Sequence, residues 1–142
     1  NVPWQLLAKI NGIAAADPVR PGQELKVVRG PFSAIVDLSR NQLTLMVDER
    51  YAGKFPVTVT PGQTIDDGEW VVGRKSSDQA PGRALLLQGN PATPGAPPPM
   101  LVIASDALTT TEADGTVIKV AAKDAEELTD ILSIGSRVVT RR

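Results

Sequence analysis

The 142-residue chain contains no cysteine and no histidine. These two absences exclude disulfides, thiol redox motifs, Cys/His zinc sites, a thiolate nucleophile and an imidazole base. Any catalysis has to come from Ser, Thr, Lys, Tyr or carboxylates. An excess of charge is missing too: 15 Lys+Arg stand against 16 Asp+Glu, a net charge of −1. With a pI near 5.4, the chain lacks the basic balance, pI above ~9, usual for nucleic-acid binders. No run approaches the ~18 consecutive apolar residues of a membrane span. The expectation is therefore no metal, no cofactor, no nucleic-acid partner and no membrane span within this sequence. No secretory leader is visible at Asn1, which does not read as a natural start, and cysteine absence does not choose a compartment.

What is there suits one domain, or one domain plus a small module. A chain of this length can bury roughly 68–70% of its unfolded surface. Pro3 fits the first turn of a helix. Trp4, Leu6, Leu7 and Ile10 give that helix an apolar face, and Asn11-Gly12 ends it. A loop through Asp17-Pro18 and a turn at Pro21-Gly22 lead to a short strand over Glu24–Val28. This unit is too small to bury its own face, so it lacks a first half or leans on the next domain.

After Arg29-Gly30-Pro31 the period changes to two. Phe32, Ala34, Val36 and Leu38 alternate, then Leu43, Leu45 and Val47, then Phe55, Val57 and Val59 within one strand over Tyr51–Val59. Polar breaks at Ser39-Arg40-Asn41 and Asp48-Glu49-Arg50 make these an antiparallel meander. Further strands are expected from Trp70, over Ala84–Leu87, Met100–Ala104, Thr116–Val120 and Ser136–Thr140. Ala122–Leu132 has a helical stripe of Ala125, Leu128, Ile131 and Leu132. Thr109–Gly115 reads as a surface loop. Five of the 12 prolines fall in Pro91–Pro99, which excludes a central strand there. That segment is either the wall of a cleft or a stiff connection.

Three other features have plain readings. Asp66-Asp67-Gly68-Glu69 lacks the spaced ligands of a calcium loop and reads as an acidic turn entering a strand. Trp4 could stack on a sugar, but its helical stripe assigns it to a core first. Tyr51 and Trp70 read as core or sheet-face residues.

Two stretches resemble known families. Leu7-Ala8-Lys9-Ile10-Asn11-Gly12 and Arg20-Pro21-Gly22-Gln23-Glu24-Leu25-Lys26-Val27 resemble the second half of a LysM module, a β-α-α-β family that binds N-acetylglucosamine-containing glycans. Residues 1–29 would be its C-terminal half. Residues 32–142 resemble the L,D-transpeptidase (YkuD-like) catalytic domain. The resemblance rests on Ala34-Ile35-Val36-Asp37-Leu38-Ser39-Arg40-Asn41-Gln42-Leu43-Thr44-Leu45, on Phe55-Pro56-Val57, on Thr64 with Gly68-Glu69-Trp70, and on Asp124-Ala125-Glu126-Glu127-Leu128 through Gly135-Ser136-Arg137-Val138-Val139. It implies a mainly β, YkuD-like β-sandwich with one helix near the C-terminus, plus the small LysM remnant. It also implies a bacterial, extracytoplasmic setting in the cell envelope.

The resemblance departs at the reactive residues. The family carries an Ile-His-Gly segment and a Ser-x-Gly-Cys-Ile/Val-Arg segment, whose cysteine is the nucleophile acylated by substrate and by carbapenems. Counting back from Asp124 puts Lys119 at the arginine, Val117 at the cysteine and Thr116 at the glycine; matching Gly115-Thr116 to Gly-Cys puts Thr116 at the nucleophile. Ala104 falls at the histidine. In another hydrolase, removing the nucleophile or base lowers kcat about 10⁶-fold, so loss of both ends the family's reaction. The expectation is a pseudoenzyme with no catalytic residue, Ala104, Val117, Thr116 and Lys119 being degenerate positions, that binds peptidoglycan, muropeptide or an envelope protein. The LysM resemblance assigns glycan contacts to Gly12, Ile13 and Pro18. The alternatives are an active L,D-transpeptidase using Ser105 or Thr116 with Lys119 as base, and a protein-binding scaffold.

Overall fold

The computed structural model describes residues 4, 7, 8, 11–14, 19–25, 30–76, 83–91, 93–106 and 116–142. Among these residues nine strands form one hydrogen-bonded sheet. The first three are β1 (Phe32–Asp37), β2 (Gln42–Val47) and β3 (Arg50–Pro56), followed by the two-residue β4 (Thr58–Val59). Then come β5 (Gly68–Lys75), β6 (Ala84–Gly89), β7 (Met100–Ser105) and β8 (Thr116–Val120). Helix α1 (Ala122–Ile131) and β9 (Arg137–Arg141) complete the chain.

The period-two pattern acts as the sequence predicts. Phe32, Ala34 and Val36 of β1 and Leu43, Leu45 and Val47 of β2 are buried, and their polar neighbours are not. Both connections in the meander use left-handed residues. Asn41 has φ 50° before β2, and Asp48 and Glu49 have φ 46° and 61° between β2 and β3. Two consecutive positive φ values give a turn whose twist matches that of the strands it joins. Asp37 organises the first connection, its carboxylate accepting the Ser39 hydroxyl at 2.7 Å and the Arg40 N–H at 3.1 Å.

The single strand expected over Tyr51–Val59 is corrected. Pro56 has no N–H to donate, and the Val57 N–H turns to the Asn41 carbonyl at 2.9 Å, so pairing with β2 stops. β4 then joins a different strand, pairing Thr58 with Lys119 and Val59 with Ile118. The strand order is β3-β2-β1-β9-β5-β6-β7-β8-β4. Strands separated by one residue, Val57, thus stand at opposite ends of the order, and the sheet curls back toward closure. Its concave face holds the core, including Val36, Leu43, Leu45, Phe55, Val72, Leu87, Leu101, Ile103, Ile118 and Val138. Helix α1 adds Ala125, Leu128 and Ile131 to that core, with Leu132 just beyond it. Its stripe is the predicted one.

At the N-terminal end, Trp4, Leu7 and Ala8 have helical backbone. Asn11 ends this helix by donating both its backbone N–H and its side-chain amide to the Leu7 carbonyl, at 3.1 and 2.8 Å. Trp4 is 45% exposed, so its assignment to a core is corrected. A one-sided stripe marks a face without supplying the surface that covers it. The Pro21-Gly22 turn is present, Gly22 having φ 83°. Of the strand expected over Glu24–Val28, Glu24 and Leu25 are not in a strand; its remainder and the loop Thr109–Gly115 lie outside the described residues.

Candidate functional site

The positions that the resemblance aligns with the family's reactive residues lie on β7 and β8, which run parallel with Leu101 opposite Thr116, Val102 opposite Val117, Ile103 opposite Ile118 and Ala104 opposite Lys119. Because side chains alternate, this register sorts them onto two faces. Leu101, Ile103 and Ile118 belong to the concave core. Val102, Ala104 and Val117 point the other way and form a separate buried cluster with Ala84, against which Leu86 packs. The structure therefore brings Ala104 and Val117 together on one convex face. They sit diagonally on adjacent strands, a spacing long side chains can span. As they stand, they offer only methyl groups. Lys119 shares that face and is half-buried.

Thr116 follows the opposite parity and faces the concave side. Ser105, 2% exposed, is opposite Val120 and also falls on the concave side, at the far end of β7. Four residues of strand separate its level from that of Thr116, roughly 13 Å. Lys119 is on the other face from both. The Ser–Lys or Thr–Lys dyad is thus not assembled in this geometry. A base has to lie within hydrogen-bond reach of its nucleophile, directly or through one water.

The concave side opens as a cavity at the end of the sheet where β6 finishes and β5, β7 and β8 begin. Its volume is about 640 Å³, and Thr116 and Leu101 form part of its wall. Trp70, half-buried, forms another part. Its indole N–H donates to the Thr140 hydroxyl at 3.0 Å, and that hydroxyl donates to the Asp66 carbonyl at 2.7 Å. Thr140 is 1% exposed, so one buried hydroxyl fixes both the indole and the turn before β5. Gly89, paired with Trp70, makes room: a Cβ there would lie 3.1 Å from the indole and 2.9 Å from Pro99.

Asp66 through Glu69 line the rim of this cavity, and Gly68 opens β5 as the acidic-turn reading expects. Glu69 is ion-paired with Arg137. Among the described residues no group of three or more metal-ligating side chains is present. The proline-rich segment resolves in favour of a cleft wall, since Gly89, Asn90, Ala96, Pro97 and Pro99 all border the cavity. Sequence reasoning missed the cavity and the role of Thr140. The period-two alternation with Val138 was the available signal for Thr140, because it turns that hydroxyl inward.

Of the expected glycan contacts, Gly12 is exposed with φ 65° and open space around it. It serves the left-handed turn. Ile13 is half-buried and its N–H donates to the Ala8 carbonyl at 2.8 Å. Pro18 lies outside the described residues.

No family model matches the chain, and no curated protein matches it. Solved structures do. An L,D-transpeptidase from Mycobacterium smegmatis superposes with a TM-score of 0.52 at 15% identity, over 78% of this chain and 58% of that one. A mutant of the Enterococcus faecium L,D-transpeptidase gives 0.53 at 17%, over 77% and 49%. A fused Zn-dependent amidase/peptidase/peptidoglycan-binding domain-containing protein from Clostridium acetobutylicum gives 0.55 at 12%, over 96% and 60%. The chain thus spans less than two thirds of the length of each. At these identities the likeness is one of architecture: the chain has the mainly β fold, with one helix near the C-terminus, of the L,D-transpeptidases.

Proposed function

We propose that this chain is a non-catalytic bacterial cell-envelope domain on the L,D-transpeptidase fold, which binds peptidoglycan or muropeptide without forming or cutting crosslinks. In this reading residues 1–29 are the C-terminal half of a LysM-like module, residues 32–142 form the transpeptidase-like domain, and the setting is extracytoplasmic. One observation carries the loss of catalysis. Ala104 and Val117, the positions the resemblance assigns to histidine and cysteine, share a face on adjacent strands and are buried in an apolar cluster. Thr116, the other candidate nucleophile, faces away from Ala104. The shared face supports the assignment of the old cysteine to Val117. A hydroxyl without an adjacent base is a poor acyl acceptor, so the family reaction has no nucleophile here.

Intact-mass spectrometry after incubation with a carbapenem such as imipenem tests the loss of catalysis. The mass should stay unchanged. A stable adduct mapped to Thr116 or Ser105 would establish an unconventional nucleophile. Cosedimentation with purified sacculi tests the binding. The full chain should pellet with them, and a chain that stays wholly in the supernatant would replace glycan recognition by a protein-binding scaffold.

A further inference from the structure

The cavity at the open end of the sheet is separate from the Ala104–Val117 face, and its wall is built around one fixed aromatic ring. At about 640 Å³ it lies within the range of about 300–1,000 Å³ common for small-molecule sites. Trp70 lines it and is half-buried. The indole has little freedom. Its N–H donates to the Thr140 hydroxyl, and its six-membered ring lies against Gly89, where a Cβ would come within 3.1 Å. With its one donor spent inside the fold, what the indole offers a ligand is its π-surface. Pro97 and Pro99 stiffen another part of the wall. Ring and wall are thus set before anything binds, which lowers the ordering cost of binding.

Polar groups around the ring narrow the choice of ligand. Thr64, Asn90 and Thr116 line the cavity, and their side chains spend no hydrogen bond on another described residue. They supply two hydroxyls and an amide, each able to donate and to accept. No Lys or Arg is among the described residues that line the cavity, so a phosphate or carboxylate finds no counter-charge there. A ligand that suits both features has a flat C–H face for the indole and neutral polar groups at its edge. A pyranose ring has both, and its C–H groups meet the negative face of the indole. We infer that this cavity binds a neutral pyranose ring of a glycan chain, stacked on Trp70 and hydrogen-bonded by Thr64, Asn90 and Thr116. Resting on the proposed peptidoglycan binding, the site puts glycan recognition within residues 32–142, apart from the LysM-like segment.

The test uses the 142-residue chain carrying Trp4→Phe, which replaces an exposed indole and leaves Trp70 as the single tryptophan. Triacetylchitotriose, a trimer of neutral pyranoses, should change Trp70 fluorescence saturably. Its ring C–H resonances should move upfield under the indole ring current. Sorbitol, an open-chain polyol with hydroxyls but no ring face, should give no saturable change. Trp70→Leu, made in the chain that keeps Trp4, should weaken binding of the trimer at least about tenfold in calorimetry. The double variant Thr64→Ala/Asn90→Ala, at two exposed positions, should weaken it several-fold while keeping the melting temperature. No saturable response to the trimer, an equal response to sorbitol, or full affinity in both variants would overturn the site. Cosedimentation with sacculi separates the site from the reading beneath it. If the Trp4→Phe chain pellets but shows no response to the trimer, the cavity site falls and peptidoglycan binding stands; a chain that does neither removes both.

Discussion

Asp37 sits where β1 turns toward β2, and its surroundings favour its ionised form. The Ser39 hydrogen bond holds its carboxyl below the ordinary 3.8; partial desolvation opposes this, while the Arg40 N–H and then the Arg141 and Arg40 charges assist. A carboxylate with a lowered folded-state pKa stabilises the fold above its unfolded value. That contribution is lost as pH falls through the folded-state value. Melting temperatures measured between about pH 2 and 6 should therefore decline less steeply on acidification in Asp37→Asn than in the unmodified chain, and equal slopes would remove Asp37 from this role. Val117 supports a different experiment, because the chain has no thiol of its own. In Val117→Cys the new thiol sits beside Ala104 in a buried apolar cluster, where its pKa rises and reagents are shut out. Iodoacetamide should leave it unlabelled in the native state and label it fully after denaturation. At this scale the sequence was legible wherever parity decides: Thr116 and Val117 face opposite ways because neighbours on a strand must. Trp4 was not legible, since exposure depends on a covering surface that no local pattern specifies.

β4 contributes only two residues of pairing, yet it ends the sheet beside β8. The Gln63 side chain lengthens that edge, its Oε1 accepting the Val117 N–H at 3.0 Å one position before β4 pairs with Ile118. Gln63→Ala strips this half-buried donor of its acceptor and should cost about 1–3 kcal/mol. Amide exchange should accelerate first at Val117 and Ile118; an unchanged exchange rate at both would show that Gln63 only decorates the edge. Gly89 and Gly73 form a second comparison on neighbouring strands. A Cβ at Gly89 meets the Pro99 ring and the fixed indole of Trp70, whereas at Gly73 it meets the Gln88 side chain. Gln88 is exposed and can swing aside. Gly89→Ala should therefore lose about 1–3 kcal/mol in a denaturant titration, and Gly73→Ala clearly less. From Phe32 onward most strand and helix bounds were legible to within a residue or two because apolar period fixed them, whereas the strand expected over Glu24–Val28 does not include Glu24 and Leu25. The split at Val57 was not, because the apolar residues Phe55, Val57 and Val59 keep the same alternation straight through the break. The missing N–H of Pro56 is the only local hint.

The whole molecule has the mainly β fold of the L,D-transpeptidases, with Ala104 and Val117 together on one face of β7 and β8. Its mainly β character was legible because hydrophobic alternation and the C-terminal helix specify it over most of the chain, and its likeness to the transpeptidases because of the motifs in β1–β2 and from the helix to β9. The cavity was not, because its walls come from β5, β6, β7, β8 and two loops that only the curled sheet brings together. That curl has one more consequence. The two rims of the sheet, β3 and β4, are tied to each other through Val57, so neither can drift away from the other when the structure breathes. Parting the two residue pairs that join β4 to β8 would open the sheet like a clasp, but the leash is so short that reclosure costs almost no chain entropy. A strand from another molecule would have to enter a gap that this one residue keeps ready to shut.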